Sequence, residues 1–134
     1  MEKRAAPMGL FLADIPYVES DGRKTRRPVL IVKVQDKTVF VFKVTKRCQD
    51  KSPQIKSIYY PVKMWREAGL KVPSYIDTHD LFQLPLRQIL NQRPIGKLTT
   101  TDAQALYQFI QAHYAEIQHM RNQDIKKLGK HQTD

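Results

Sequence analysis

RKTRRPVLIVKVQDKTVFVFKVT, Arg23–Thr45, is the stretch on which the fold turns. It holds two runs, Val29–Val34 and Thr38–Val44, rich in Val, Ile and Phe, residue types that suit a pleated, half-buried strand. The polar Gln35-Asp36-Lys37 lies between them, so the pair predicts an antiparallel hairpin. Side chains alternate from face to face along each strand. With Val34 opposite Thr38, one face pairs Pro28 with Val44, Leu30 with Phe42 and Val32 with Phe40. That face is wholly apolar and is assigned to the core. The other pairs Ile31 with Val41, Val29 with Lys43, and Arg27 with Thr45. Opposed residues have Cβ atoms about 4.5–5.5 Å apart, which puts a guanidinium and a hydroxyl together at the open end of the hairpin. A guanidinium fork fits phosphate oxygens and a hydroxyl adds one more donor. Arg27 and Thr45 are therefore candidates for a phosphate clamp. Arg23, Lys24, Arg26, Lys43, Lys46 and Arg47 lie around it and supply a field that attracts a nucleic-acid backbone. The competing reading of the same cations is a solvated, charge-protected strand edge.

Working outward, Leu10–Ile15 is apolar and bounded by Gly9 and Pro16, as a first strand is. A polar loop with the turn signal Ser20-Asp21-Gly22 leads into the basic cluster. Lys56–Val62, KSIYYPV, predicts another strand, and Lys63–Ala68 a short helix stopped by Gly69. Tyr75–Ile76 and Leu81–Leu84 are weaker strand signals. From Thr99 the chain reads as one long amphipathic helix to about Met120, with Ala103, Leu106, Tyr107, Ile110, Tyr114 and Ile117 on its apolar stripe. The predicted organisation is an extension over 1–9, one domain over 10–120, and a polar tail over 121–134 expected to fray. The predicted class is mainly β with α: a small antiparallel sheet curling toward a barrel, carrying a long terminal helix.

At 134 residues the chain suits a single domain. Its 23 Lys and Arg against 13 Asp and Glu give a formal charge of +10, which favours a polyanionic partner, nucleic acid first. The apolar patch Met8–Leu12 is too short for a signal peptide or a membrane span. A single cysteine, Cys48, permits no internal disulfide, and a reducing cytoplasm is the expected setting.

Other chemistries fit less well. His79, His113, His119 and His131 lack metal-ligand spacing, so no metal or cofactor is expected. Asp77 and Asp80 in DTHD read as a turn rather than a carboxylate pair. Tyr59 and Tyr60 are either base-stacking rings or ordinary strand aromatics. Met64 and Trp65 are read as core or as subunit interface.

The succession ADI, a DG-containing loop, RRPVLIV, FKVT, AGLKVPSYIDTHDLFQLP and IGKLTTTDAQALYQFI over residues 10–112 resembles the PemK/MazF family of bacterial toxins. The chain departs from the family pattern at Ala13, where glycine is usual, and at Lys46, where a small residue is. The resemblance implies an SH3-like, partly open β-barrel with a C-terminal helix, a homodimer and a cognate antitoxin. It also implies a metal-independent endoribonuclease acting on single-stranded mRNA, with Arg27 and Thr45 as catalytic residues and the surrounding cations binding RNA. Attack by the ribose 2′-hydroxyl would leave a 2′,3′-cyclic phosphate. The alternative is a non-catalytic module on the same fold that binds topoisomerase or only its antitoxin.

Overall fold

Apolar β-branched runs separated by short polar turns build most of the molecule. The computed structural model describes residues 5–16, 24–46, 53–119 and 121–122. Six strands, β1 (Gly9–Pro16), β2 (Lys24–Gln35), β3 (Thr38–Thr45), β4 (Tyr59–Pro61), β5 (Tyr75–Pro85) and β6 (Pro94–Lys97), form one antiparallel sheet. Its order is β4-β5-β3-β2-β1-β6, and it does not close into a barrel. The short helices α1 (Pro53–Lys56) and α2 (Leu86–Leu90) and the longer α3 (Thr100–Ala112) complete the fold.

The central hairpin forms with a compensated register. Gln35 pairs with Thr38, leaving a two-residue turn in which Asp36 takes φ 56°, a left-handed conformation that Asp tolerates. A bulge at Val32 then shifts the ladder by one residue, so Ile31 meets Val41, Leu30 meets Phe42 and Val29 meets Lys43, as the sequence predicts. The expected pairing of Val32 with Phe40 does not occur. Phe40 instead faces Lys33, whose Nζ lies 5.8 Å from the ring centroid.

Both faces of the sheet are core, which the alternation argument assigned to one face only. Leu10, Leu30, Phe42 and Val44 pack with Tyr60, Leu70 and Leu106 on the α3 side. Phe11, Ala13, Val29, Ile31 and Val41 pack with Leu84 and Ile89 on the α2 side. Val29 and Ile31 are completely buried because α2, which the sequence did not signal, lies across that face.

Several further expectations are corrected. The basic cluster from Lys24 onward belongs to β2 rather than to a loop, because it pairs with β1 down to Pro16. KSIYYPV contributes only Tyr59–Pro61 to the sheet; the preceding Pro53–Lys56 is helical. Tyr75–Ile76 and Leu81–Leu84 are two ends of one strand, and DTHD is a bulge within it. The partner of Phe42 is Leu81, while that of Lys43 is Asp77. IGKL lies largely in β6, which was not foreseen.

The terminal helix ends at Ala112 with a break at His113, and helical turns resume over 114–119. Tyr107 and Tyr114, expected on the apolar stripe, are 64% and 59% exposed. Tyr107 follows buried Leu106 and is therefore about a quarter-turn round the helix from the packed face. Arg121 is not frayed: it donates to the carbonyl oxygens of Thr78 and His79, both at 2.8 Å. Residues 123–134, Arg23 and the Arg47-Cys48 pair lie outside the described residues.

Candidate active site at the open end of the hairpin

β2 and β3 run past the last rung of their ladder, Val29 with Lys43, toward the end where Arg27 and Thr45 lie. Both residues line a cavity of about 790 Å³ together with Arg26, Lys46 and Lys71. Its apolar lining includes Leu12, Pro28, Leu70, Val72 and Ile95. No Asp or Glu lines it among the described residues, while four cations do. A low-dielectric wall beside charges of one sign raises the local concentration of the opposite charge, so the cavity is built for an anion with an apolar portion.

The candidate residues take different places. Arg27 is half-buried and has no carboxylate partner among the described residues. Its neighbour Arg26 is held from two directions, donating from Nη1 to Gln92 Oε1 at 3.0 Å and lying 3.6 Å from Asp14 Oδ1. Lys46 is exposed at the rim. Lys43 does not line the cavity; its Nζ lies 3.6 Å from Oδ2 of the buried Asp77. Asp77 also accepts from the His79 backbone N–H at 2.9 Å, so DTHD is a structural node on the neighbouring strand. Lys24 pairs through its backbone with Pro16 at the far end of β2. Tyr59 and Tyr60 are buried at 6% and 4% exposure, and neither offers a ring face for stacking.

Lys71, Val72 and Ser74 form a wall that sequence reasoning did not assign to the site. They follow a single helical turn that ends in a Schellman arrangement: Leu70 N–H donates to the Trp65 carbonyl at 2.9 Å and Gly69 N–H to that of Arg66 at 3.0 Å. Gly69 has φ 99°, and its backbone lies so near β6 that a Cβ would overlap the Ile95 carbonyl. The local signal was Gly69 itself, which marks where the chain turns; what the turn faces is set by β6, more than twenty residues later.

The sequence profile of PemK-like, MazF-like toxins of type II toxin–antitoxin systems matches residues 7–114. The chain belongs to this family. Among solved structures, the Mycobacterium tuberculosis toxin MazF-mt6 superposes with a TM-score of 0.59 at 20% identity, covering 80% of this chain and 96% of that one. An endoribonuclease in complex with its cognate antitoxin, from a mycobacterial species, gives 0.61 at 12% identity over 84% and 96% of the two chains. MazE–MazF from Deinococcus radiodurans gives 0.50 at 13% over 91% and 96%. No curated protein matches the sequence. The PemK/MazF-like fold is therefore present here as a six-stranded antiparallel sheet with helices on both faces. Among the described residues no helix is long and apolar enough to cross a membrane.

Proposed function

We propose that this PemK/MazF-like chain is the toxin of a toxin–antitoxin pair and an endoribonuclease that cuts single-stranded mRNA without a metal ion. The observation that carries the reading is the single cavity lined by Arg27 and Thr45 with three further cations and no carboxylate. The ribose 2′-oxygen attacks the adjacent phosphorus, forming O2′–P and breaking P–O5′. One proton passes in net from O2′ to O5′, and the products are a 2′,3′-cyclic phosphate and a 5′-hydroxyl. Arg27 stabilises the charge that builds on the non-bridging oxygens and Thr45 donates to one of them. A guanidinium scarcely deprotonates, so the role of Arg27 is electrostatic. Arg26 and Lys46 hold the flanking backbone. The complexes formed by the antitoxin-bound neighbours support a cognate antitoxin as partner, and a homodimer acting in the cytoplasm completes the proposal.

The test is single-turnover cleavage of a long RNA at saturating concentration. Arg27→Ala is expected to slow cleavage by on the order of 10², the loss typical of removing one preorganised donor, with RNA binding changed far less. Equal rates for the two proteins would overturn the assignment and favour a binding module.

A further inference from the structure

The bulge in β5 has no part in the chemistry proposed above, yet it is fastened from outside the sheet. The ladder to β3 passes from Phe42–Leu81 to Lys43–Asp77, so Thr78, His79 and Asp80 stand outside it. Backbone carbonyls taken out of a ladder and away from water need other donors. Arg121 supplies them: its Nε donates to the His79 carbonyl and its Nη2 to that of Thr78, each at 2.8 Å. One helical turn earlier Ile117, 3% exposed, completes a small core with Ile58 and Tyr59, against which Tyr75 packs. The Thr78 hydroxyl joins the two by donating to the Ile58 carbonyl at 2.5 Å.

Both contacts bear on one short piece of strand. The bulge cuts Tyr75–Asp77 off from the rest of β5, and this piece carries the rungs of Lys43, Val44 and Thr45. The β2 ladder ends at Val29–Lys43, so among the described residues Thr45 takes its rung from Tyr75 alone. On its far side the piece is backed by β4, itself three residues long. A ladder this short opens easily unless something else holds it. The segment past α3 holds it at two points.

We propose that Ile117 and Arg121 form a clasp that sets the position of Thr45, acting through Tyr75 and the Asp77 bulge. The clasp rests on the ribonuclease reading, in which the Thr45 hydroxyl donates to the reacting phosphate. Neither residue is among the described residues that line the cavity, and both lie past residue 114, where the match to the family profile ends. They are positioning residues. A donor stabilises a transition state to the extent that it is already in place when charge develops, so a loosened Thr45 costs rate at saturation. Affinity is set by the four cations of the cavity and should hold.

The experiment compares the full chain as wild type, Arg121→Gln, Thr45→Ala and the double variant. It uses two probes: a long cleavable RNA, and a fluorescent 2′-O-methyl RNA that the 2′-hydroxyl mechanism cannot cut. Arg121→Gln should lower the single-turnover rate at saturation about tenfold, with affinity for the methylated RNA within about twofold of wild type. In the Thr45→Ala background the same substitution should change the rate by less than about twofold, because its effect passes through Thr45. A merely structural role would lower both backgrounds alike. Amide hydrogen exchange over 43–46 and 75–80 should speed up about tenfold in Arg121→Gln while that of β1 stays unchanged. Ile117→Val should show the same pattern at smaller size, and it carries the test if Arg121→Gln fails to fold. An unchanged rate, or equal losses with and without Thr45, would overturn the clasp. If Thr45→Ala is slow while Arg121→Gln matches wild type, the clasp alone falls. If Thr45→Ala cuts as fast as wild type, the catalytic role of Thr45 falls, and exchange decides the clasp: faster exchange over 43–46 in Arg121→Gln keeps it, and unchanged exchange overturns it.

Discussion

Asp102 is a carboxylate with no exposed surface, and it receives three donors from a segment about forty residues earlier: the Tyr60 hydroxyl at 2.5 Å and the backbone N–H groups of Lys63 and Met64 at 3.1 and 2.8 Å. It sits in the first turn of α3, where the helix dipole favours a negative charge. Its removal leaves two part-buried N–H groups and a buried phenol without an acceptor, so Asp102→Ala should cost about 3 kcal/mol or more. Tyr60→Phe removes one donor to a charged group and should cost about 1.5–3 kcal/mol. Burial pushes the Tyr60 phenol well above its ordinary value of 10.0, and the bond to Asp102 and its charge push the same way. The phenol is therefore protonated in both states below that value. Above it the unfolded chain ionises first, and stability falls as pH rises. Urea unfolding from neutral to alkaline pH should show this fall flattened in Tyr60→Phe; parallel curves would refute the coupling. Of this node the sequence disclosed only the local half. Thr99 as N-cap is legible because its hydroxyl accepts from Asp102 N–H three residues on, at 3.2 Å. The Tyr60–Asp102 bond spans 42 residues and leaves no local trace. Arg27 and Thr45 were readable for the opposite reason: strand alternation brings them to one end whenever the hairpin forms. Lys71 reaches the same cavity only through the packing of two distant loops.

Elements show the same division between local and distant causes. The hairpin was legible since it depends on eighteen contiguous residues from Pro28 to Thr45. The three-residue turn and the bulge-free ladder expected there were both wrong, and the two differences cancel at Leu30–Phe42. The second core was hidden because PLRQIL carries no clear helical period and β5 is interrupted by the Asp77 bulge. The contact between the 68–69 turn and β6 is the element on which the cavity's outer wall depends. A Cβ on Gly96 would overlap the Ala68 carbonyl, and a side chain on Gly69 would meet both the Ile95 carbonyl and an unfavourable φ of 99°. Backbone cannot yield as a side-chain tip does, so Gly96→Ala should force the turn off β6 and cost about 2 kcal/mol or more. Gly69→Ala should cost at least about 1 kcal/mol. Thermal melts of the two variants check the stability loss, and RNA affinity should fall with it because Lys71 and Val72 move with the turn. A Gly96→Ala protein with a wild-type melting midpoint would show that the approach is slack.

At the scale of the whole molecule, the charge of +10 gains meaning from how it is distributed. Part of it is internal: Lys43 lies against buried Asp77. Such a pair satisfies the fold and releases few counterions when a polyanion arrives. Arg26, Arg27, Lys46 and Lys71, by contrast, share one cavity that no acid lines among the described residues. A single strand releases about 0.7 counterion for each phosphate neutralised. If each of the four cations meets one phosphate, the logarithm of the association constant for uncleavable RNA should fall with the logarithm of salt at a slope of about −3. A slope near −1 would mean that the cavity engages one phosphate and that the remaining charge is unorganised surface. A slope near −6 would carry the contact beyond the cavity, along β2 toward Lys24 and its neighbours. Comparing wild type with Lys43→Gln separates the internal charge from the rest. Because Lys43 faces Asp77, its replacement should lower stability and leave the salt slope unchanged, whereas Lys46→Gln should do the reverse.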